Sequence, residues 1–282
     1  MLMKGSFGSD NIRHFDKTKF FVAKTIFLND RLKAYKRYLL AAKKFGYKLC
    51  SMQEFWHERF GTNSHFILRH DVDDLIPATR KMFELEKELG VHSTYYFRWS
   101  TIDGDLIKDM LEAGFEVGLH YETVASYIRK NPLVRKENLP VPEMRETLKE
   151  EIRKFKSEYN PNMVSCCSHG AKENIDFKVS SNVLLEGVDY SEFGILFEAY
   201  DKEMYEKCNI YHIMDGNIRH NFGFSYKSNP LDGICEGAQN ILFLAHPVHW
   251  KFCLKSWLFN VLCLVFGKNS FETERVFKRI AK

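Results

Sequence analysis

The 282-residue chain lacks most of the short signatures that announce a chemistry. It has no Gly-x-Ser-x-Gly turn to raise a serine nucleophile, no glycine-rich Lys-Ser/Thr loop to cradle phosphates, and no Gly-x-Gly-x-x-Gly after a strand. Those absences set aside the serine hydrolase, nucleotide triphosphatase and dinucleotide-dependent readings. The seven cysteines (Cys50, Cys166, Cys167, Cys208, Cys235, Cys253, Cys263) are odd in number, scattered and without a Cys-x-x-Cys pair, so neither a zinc ribbon nor a disulfide framework is expected. Reduced thiols follow, and the adjacent Cys166 and Cys167 read as strand packing rather than as nucleophiles. The first residues, MLMKGSFGSDNIRHFDK, have no charged segment leading into an apolar core, so no secretory leader is read and the expected compartment is the cytoplasm. A formal charge of +4 with no basic stripe beside a recognition motif gives no reason to expect nucleic acid as a partner. The apolar run Phe252 to Phe266 falls short of the ~18 to 20 residues of a spanning helix. It is expected to pack as a helical tail, with peripheral contact at the inner face of the membrane as the alternative.

What is present describes a globular α/β chain. Apolar residues make up 45% and charged residues 28%, a balance that supports a folded core. Three regions are read: an N-terminal helical layer over 1–60, a main domain over 61–251 and an apolar tail over 252–282. In the first, a helix from Asn29 or Asp30 carries Leu32, Tyr35, Leu39 and Ala42 on one stripe and stops at Gly46. The main domain opens with a strand at His65 to His70. A helix bearing Ala78, Met82, Leu85 and Leu89 follows, then a strand at Val91 to Trp99, a helix capped by Asp103, and a strand at Phe115 to His120. Next come a helix with Met144, Leu148, Ile152 and Phe155 on one stripe, a strand at Met163 to Ser168, a helix over Phe177 to Leu185 and a short strand at Asp189 to Ser191. The order of elements over 192–235 stays open, and Ile241 to Ala245 closes the series as an apolar strand. Strand and helix alternate, so the sheet is expected to be parallel, with its ligand site at the carboxyl ends of the strands.

Those ends carry the reactive residues. In Phe66 to Asp74 (FILRHDVDD) the two-residue period of a strand sends Asp71 and Asp73 to one side and Val72 to the other. The bland reading of the same letters is a helix cap at Asp73 or Asp74. Later strand ends add Arg98, His120 with Glu122, His169 and His246. Carboxylates and neutral imidazoles together form a donor set for a divalent cation, with an acid and a base to spare for hydrolysis.

From His65 to Trp250 these residues resemble a divergent member of the polysaccharide deacetylase family, the NodB-type carbohydrate esterases. RHDVDD stands where the family has Thr-Phe-Asp-Asp, EVGLHYETV where it has His-x-x-x-His, and LFLAHPVHW where it has Leu-x-His. The resemblance implies a distorted (β/α) barrel and removal of an acetyl group from a sugar with a divalent metal, zinc first and manganese, cobalt or nickel as alternatives. It makes Asp71 the base, Asp73 and His120 metal ligands and His246 the acid, with Asp74 and His249 as possible substitutes for Asp71 or Asp73 and for His246 respectively. Val124 occupies the family's second histidine position, so the shell is completed by His169, Glu122 or water, with His169 preferred for its strand-end position. Arg98, Tyr121 and Trp250 are the expected contacts to a carbohydrate substrate, an N-acetylated sugar or glycan precursor for a cell-surface polymer. The alternative is a catalytically inactive member of the fold that binds glycan or acts as a scaffold.

Overall fold

In a computed structural model of the chain, the described residues are 31–250 apart from 75, 217–223 and 228. The expected tail over 252–282 and the first thirty residues lie outside them.

Helix α1 (Arg31–Lys44) leads into strand β1 (Lys48–Cys50) and helix α2 (Met52–Glu58), whose N-terminus is closed by a reciprocal Ser51/Glu54 capping box. Strand β2 (His65–Val72) and helix α3 (Ile76–Glu88) follow, then β3 (Thr94–Phe97), α4 (Gly104–Glu112) and β4 (Glu116–Tyr121). Asp103 caps α4 by accepting from the Leu106 amide at 2.9 Å. Helices α5 (Thr123–Lys130) and α6 (Val141–Glu158) precede β5 (Ser165–Ser168), α7 (Lys172–Asp176) and the two-residue strand β6 (Phe197–Glu198). Helix α8 (Lys202–Lys207), β7 (Ile210–Met214), α9 (Pro230–Cys235), β8 (Asn240–Leu244) and the short α10 (Pro247–Trp250) complete the described elements.

The strands form one eight-stranded, all-parallel sheet in the order β6-β5-β4-β3-β2-β8-β7, with β1 paired to the first half of β2 on the edge that β3 takes further along. This order runs around a ring in sequence and breaks only between β6 and β7, so the sheet curls as a half-barrel open at that seam. Strand β1 is hydrogen-bonded to β2, so the described residues before 61 are joined directly to the sheet.

Alternation along β2 sorts its residues between two environments. Phe66 and Leu68 pack outward under α1 and α3 with Phe243, Trp250 and Met82, while Ile67 points inward with Tyr96, Cys167, Phe197, Leu242 and Leu244. All eight residues of β2 are buried, as a central parallel strand covered on both faces requires. Each fully buried Phe or Leu here contributes ~1.5 to 3 kcal/mol relative to exposure. Gly118 on β4 has no room for a side chain: a Cβ there would lie 2.7 Å from the Ser165 carbonyl oxygen and 2.7 Å from the Tyr96 ring.

Three expectations change. Residues 177–185 form turns rather than a helix, with Lys178 in the left-handed region at φ 51°, and the helix of that region is the shorter α7. Asp189 to Ser191 does not make a strand: the Asp189 carboxylate accepts from the Ser191 amide at 2.9 Å and starts a single 3-10 turn. Between β4 and α6 the chain forms α5, a helix that the sequence reading did not include, with Val124, Ala125 and Ile128 buried.

Candidate metal centre

Parallel strands end on one side, and the inward positions at those ends meet at the mouth of the half-barrel. On β2 the inward series is Arg69, Asp71 and then Asp73, just past the strand. Arg69 and Asp71 are both buried and form a bidentate pair, Nε to Oδ1 at 3.0 Å and Nη2 to Oδ2 at 2.8 Å. Burial works to raise the Asp71 carboxyl, but the Arg69 charge, with smaller help from His120, outweighs it and holds the group below its ordinary range. The remaining guanidinium contacts are the Ala199 carbonyl at 3.2 Å, the Cys167 sulfur at 2.7 Å and the Tyr200 ring at 4.1 Å.

Asp73 faces His120 from β4 and His169 from the end of β5. The Oδ1 atom of Asp73 lies 3.3 Å from His120 Nε2 and 3.5 Å from His169 Nε2. His120 Nδ1 donates to the Cys167 carbonyl at 3.1 Å; a carbonyl only accepts, so a neutral His120 presents its Nε2 lone pair to Asp73. His169 Nδ1 donates to Glu122 Oε1 at 3.0 Å, which orients its Nε2 in the same way. Glu122 is ionised: burial opposes its charge, but His169 and Arg98 bring its carboxyl down to about 2. Two imidazole lone pairs and one carboxylate oxygen thus converge, and Asp73 Oδ1 is buried without a hydrogen bond among the described residues. Converging acceptors with their far sides tied to a carbonyl and a carboxylate are the arrangement of a metal site with its supporting shell. The spacing fits as well, since ligands ~2.0 to 2.1 Å from a tetrahedral ion lie ~3.3 to 3.4 Å from one another. The donor set therefore fits a divalent cation, and these three residues could hold one.

A second constellation stands beside it. Asp215, at the end of β7, is completely buried and accepts from His246 Nδ1 at 2.6 Å, from the His246 amide at 2.8 Å and from Trp250 Nε1 at 2.7 Å. His249 Nδ1 approaches the same carboxylate at 3.3 Å. Burial disfavours a charged His246, but the Asp215 carboxylate more than offsets it and raises the ring to about 9. His246 Nε2 points back toward the first group, 3.7 Å from Asp73 Oδ2. Asp215 did not emerge from the sequence reading; its signal is a short strand, IYHIM, followed by a carboxylate.

The structure brings Asp71, Asp73, His120, His169 and His246 together and sends the remaining expected residues elsewhere. Tyr121 follows the inward His120 and so points outward, buried against the helix layer, and offers no face to the mouth. Trp250 is also buried, packed on Tyr35 and Phe243, and its role is the hydrogen bond to Asp215. Arg98 is committed to Glu122, at 2.9 and 3.0 Å, and to the Asp73 carbonyl at 3.1 Å, so it braces the centre instead of reaching for a ligand. Glu122 supports His169 rather than joining the three converging atoms. Cys167 lies on the floor of the site with Asp71 and His120, where burial pushes its thiol well up and the Arg69 guanidinium lies 2.7 Å from its sulfur.

No protein-family model and no curated protein matches the chain. Fold and geometry by themselves define an α/β protein with a curled parallel sheet and a candidate Asp-His-His centre at the carboxyl mouth.

Proposed function

We propose that the protein is a metal-dependent hydrolase that removes an acetyl group from an N-acetylated sugar or glycan precursor. The observation that carries this reading is the convergence of Asp73 Oδ1 with the Nε2 atoms of His120 and His169, flanked by a carboxylate on one side and a carboxylate-backed imidazole on the other. A divalent cation in such a setting polarises a carbonyl oxygen and lowers the pKa of water. In this reading Asp73, His120 and His169 would hold the cation. Arg69 keeps Asp71 ionised and immobile, so that its carboxylate is available to take a proton at the mouth. Asp215 locks the His246 ring with Nδ1–H inward, and Nε2 is the atom that delivers a proton to the departing amine.

The test combines metal analysis of the purified protein with an acetate-release screen over sugar nucleotides and N-acetylated oligosaccharides. The expected result is acetate release by the metal-loaded protein, lost in Asp71→Asn with metal content unchanged. Absence of both metal uptake and acetate release would overturn the reading in favour of a non-catalytic glycan-binding or scaffold protein.

A further inference from the structure

The open seam between β6 and β7 is lined by aromatic rings that the proposed chemistry does not use. His212 is the inward residue of β7 between Ile210 and Met214, and its Nε2 is buried with no hydrogen bond among the described residues. Tyr226 stacks on that ring with centroids 4.6 Å apart and planes 20° from parallel, and Tyr205 meets it edge-on at 5.4 Å. The Tyr205 hydroxyl donates to the Ala199 carbonyl at 3.1 Å, so Tyr205 ties the end of β6 to β7 where no ladder joins them.

Tyr226 is unusual in two respects. It is 67% exposed, although its ring is held flat on an imidazole, and its backbone sits in the left-handed region at φ 69°, a costly place for a bulky residue. Its position is nevertheless fixed. Ser225 pairs with Met214 in an antiparallel bridge, at 2.7 and 3.2 Å, and Met214 is followed directly by Asp215, the residue that holds His246. An exposed aromatic face is thereby anchored to the strand that carries the acid's partner, with strain stored in its own backbone. Packing does not account for this, because a residue that serves the core does not leave two thirds of its surface in water.

We infer that Tyr226, backed by His212, is a stacking platform for a pyranose ring of the saccharide, and that it sets how the sugar lies across the mouth. The inference rests on the reading above and names the face of the substrate that the protein grips. Apolar C–H faces of a sugar suit a flat ring backed by a second ring, and Tyr226, next to the Met214–Ser225 bridge, presents its ring to solvent, whereas Tyr121 and Trp250 are buried.

The experiment measures binding of a short N-acetylglucosamine oligosaccharide to the full chain in its Asp71→Asn form, by calorimetry, alone and combined with Tyr226→Phe, Tyr226→Ala or His212→Ala. Zinc titration of the same proteins runs in parallel. Tyr226→Phe is expected to bind as the parent does, and Tyr226→Ala to bind about five- to ten-fold more weakly, with zinc affinity unchanged in both. His212→Ala is expected to weaken binding in the same direction by loosening the ring above it. Equal oligosaccharide affinity for Tyr226→Ala and the parent overturns the platform while leaving the hydrolase reading intact. No oligosaccharide binding to the parent overturns the ligand class, and failure of zinc to bind any of the proteins is the separate outcome that removes the hydrolase reading.

Discussion

Replacing Asp215 with Asn removes the charge that holds His246 and leaves the shape of the side chain. In the native site the carboxylate accepts three hydrogen bonds, and its charge raises the imidazole to about 9 from an ordinary 6.5. That difference corresponds to roughly 3 kcal/mol of preference for the protonated ring. In Asp215→Asn the ring is expected to titrate well below its native value, because burial is then opposed only by the smaller effects of Asp73 and Asp71. The folded pKa of His246 lies above the unfolded one, so its contribution to stability is complete below the unfolded value and is lost as pH rises through about 9. Urea unfolding of chelator-treated protein reads this directly. Native protein should exceed Asp215→Asn in stability by up to roughly 3 kcal/mol more at about pH 6 than at about pH 9.5. Proton-detected titration of the His246 ring gives an independent value. An equal stability difference at both pH values, or a ring that still titrates near its native value in the variant, would refute the assignment of Asp215 as the group that charges His246.

Other perturbations address the neighbouring parts. Arg69→Met strands a buried carboxylate and is expected to cost ~3 to 5 kcal/mol, with part recovered when Asp71→Asn is added; urea midpoints of the three variants decide it. Gly118→Ala forces a Cβ into contact with the Ser165 carbonyl and the Tyr96 ring, and an overpacking cost of ~1 to 3 kcal/mol should appear as a lowered thermal midpoint. Glu122→Gln weakens the support of His169 without touching a converging atom, and a ~10- to 100-fold loss of zinc affinity is expected by competition with a chromogenic chelator.

The strand-end logic was legible in the sequence because it depends on period alone. Asp71 and Asp73 share a face in any strand, and a parallel sheet brings His120, His169 and His246 to the same mouth. Applied one residue further, the same parity excludes Tyr121, since an inward His120 requires its neighbour to face outward. Asp215 was hidden because β7 is a half-exposed edge strand, IYHIM, with polar letters among its apolar ones and without the continuous hydrophobic run that marks β2 or β8. The helix expected at 177–185 is absent because Lys178 adopts a left-handed conformation that ends α7 in a turn. Arg98 reads from sequence as a contact to substrate, and the folded chain places it against Glu122 and the Asp73 carbonyl.

The central question is whether Asp73, His120 and His169 bind a divalent cation as a unit. Zinc titration of the metal-free protein by calorimetry, alongside Asp73→Asn and His169→Ala, is the measurement. One tight equivalent is expected in the native protein, with a loss of at least ~100-fold in affinity in either variant. No binding by the native protein, or native affinity retained in both variants, would contradict it.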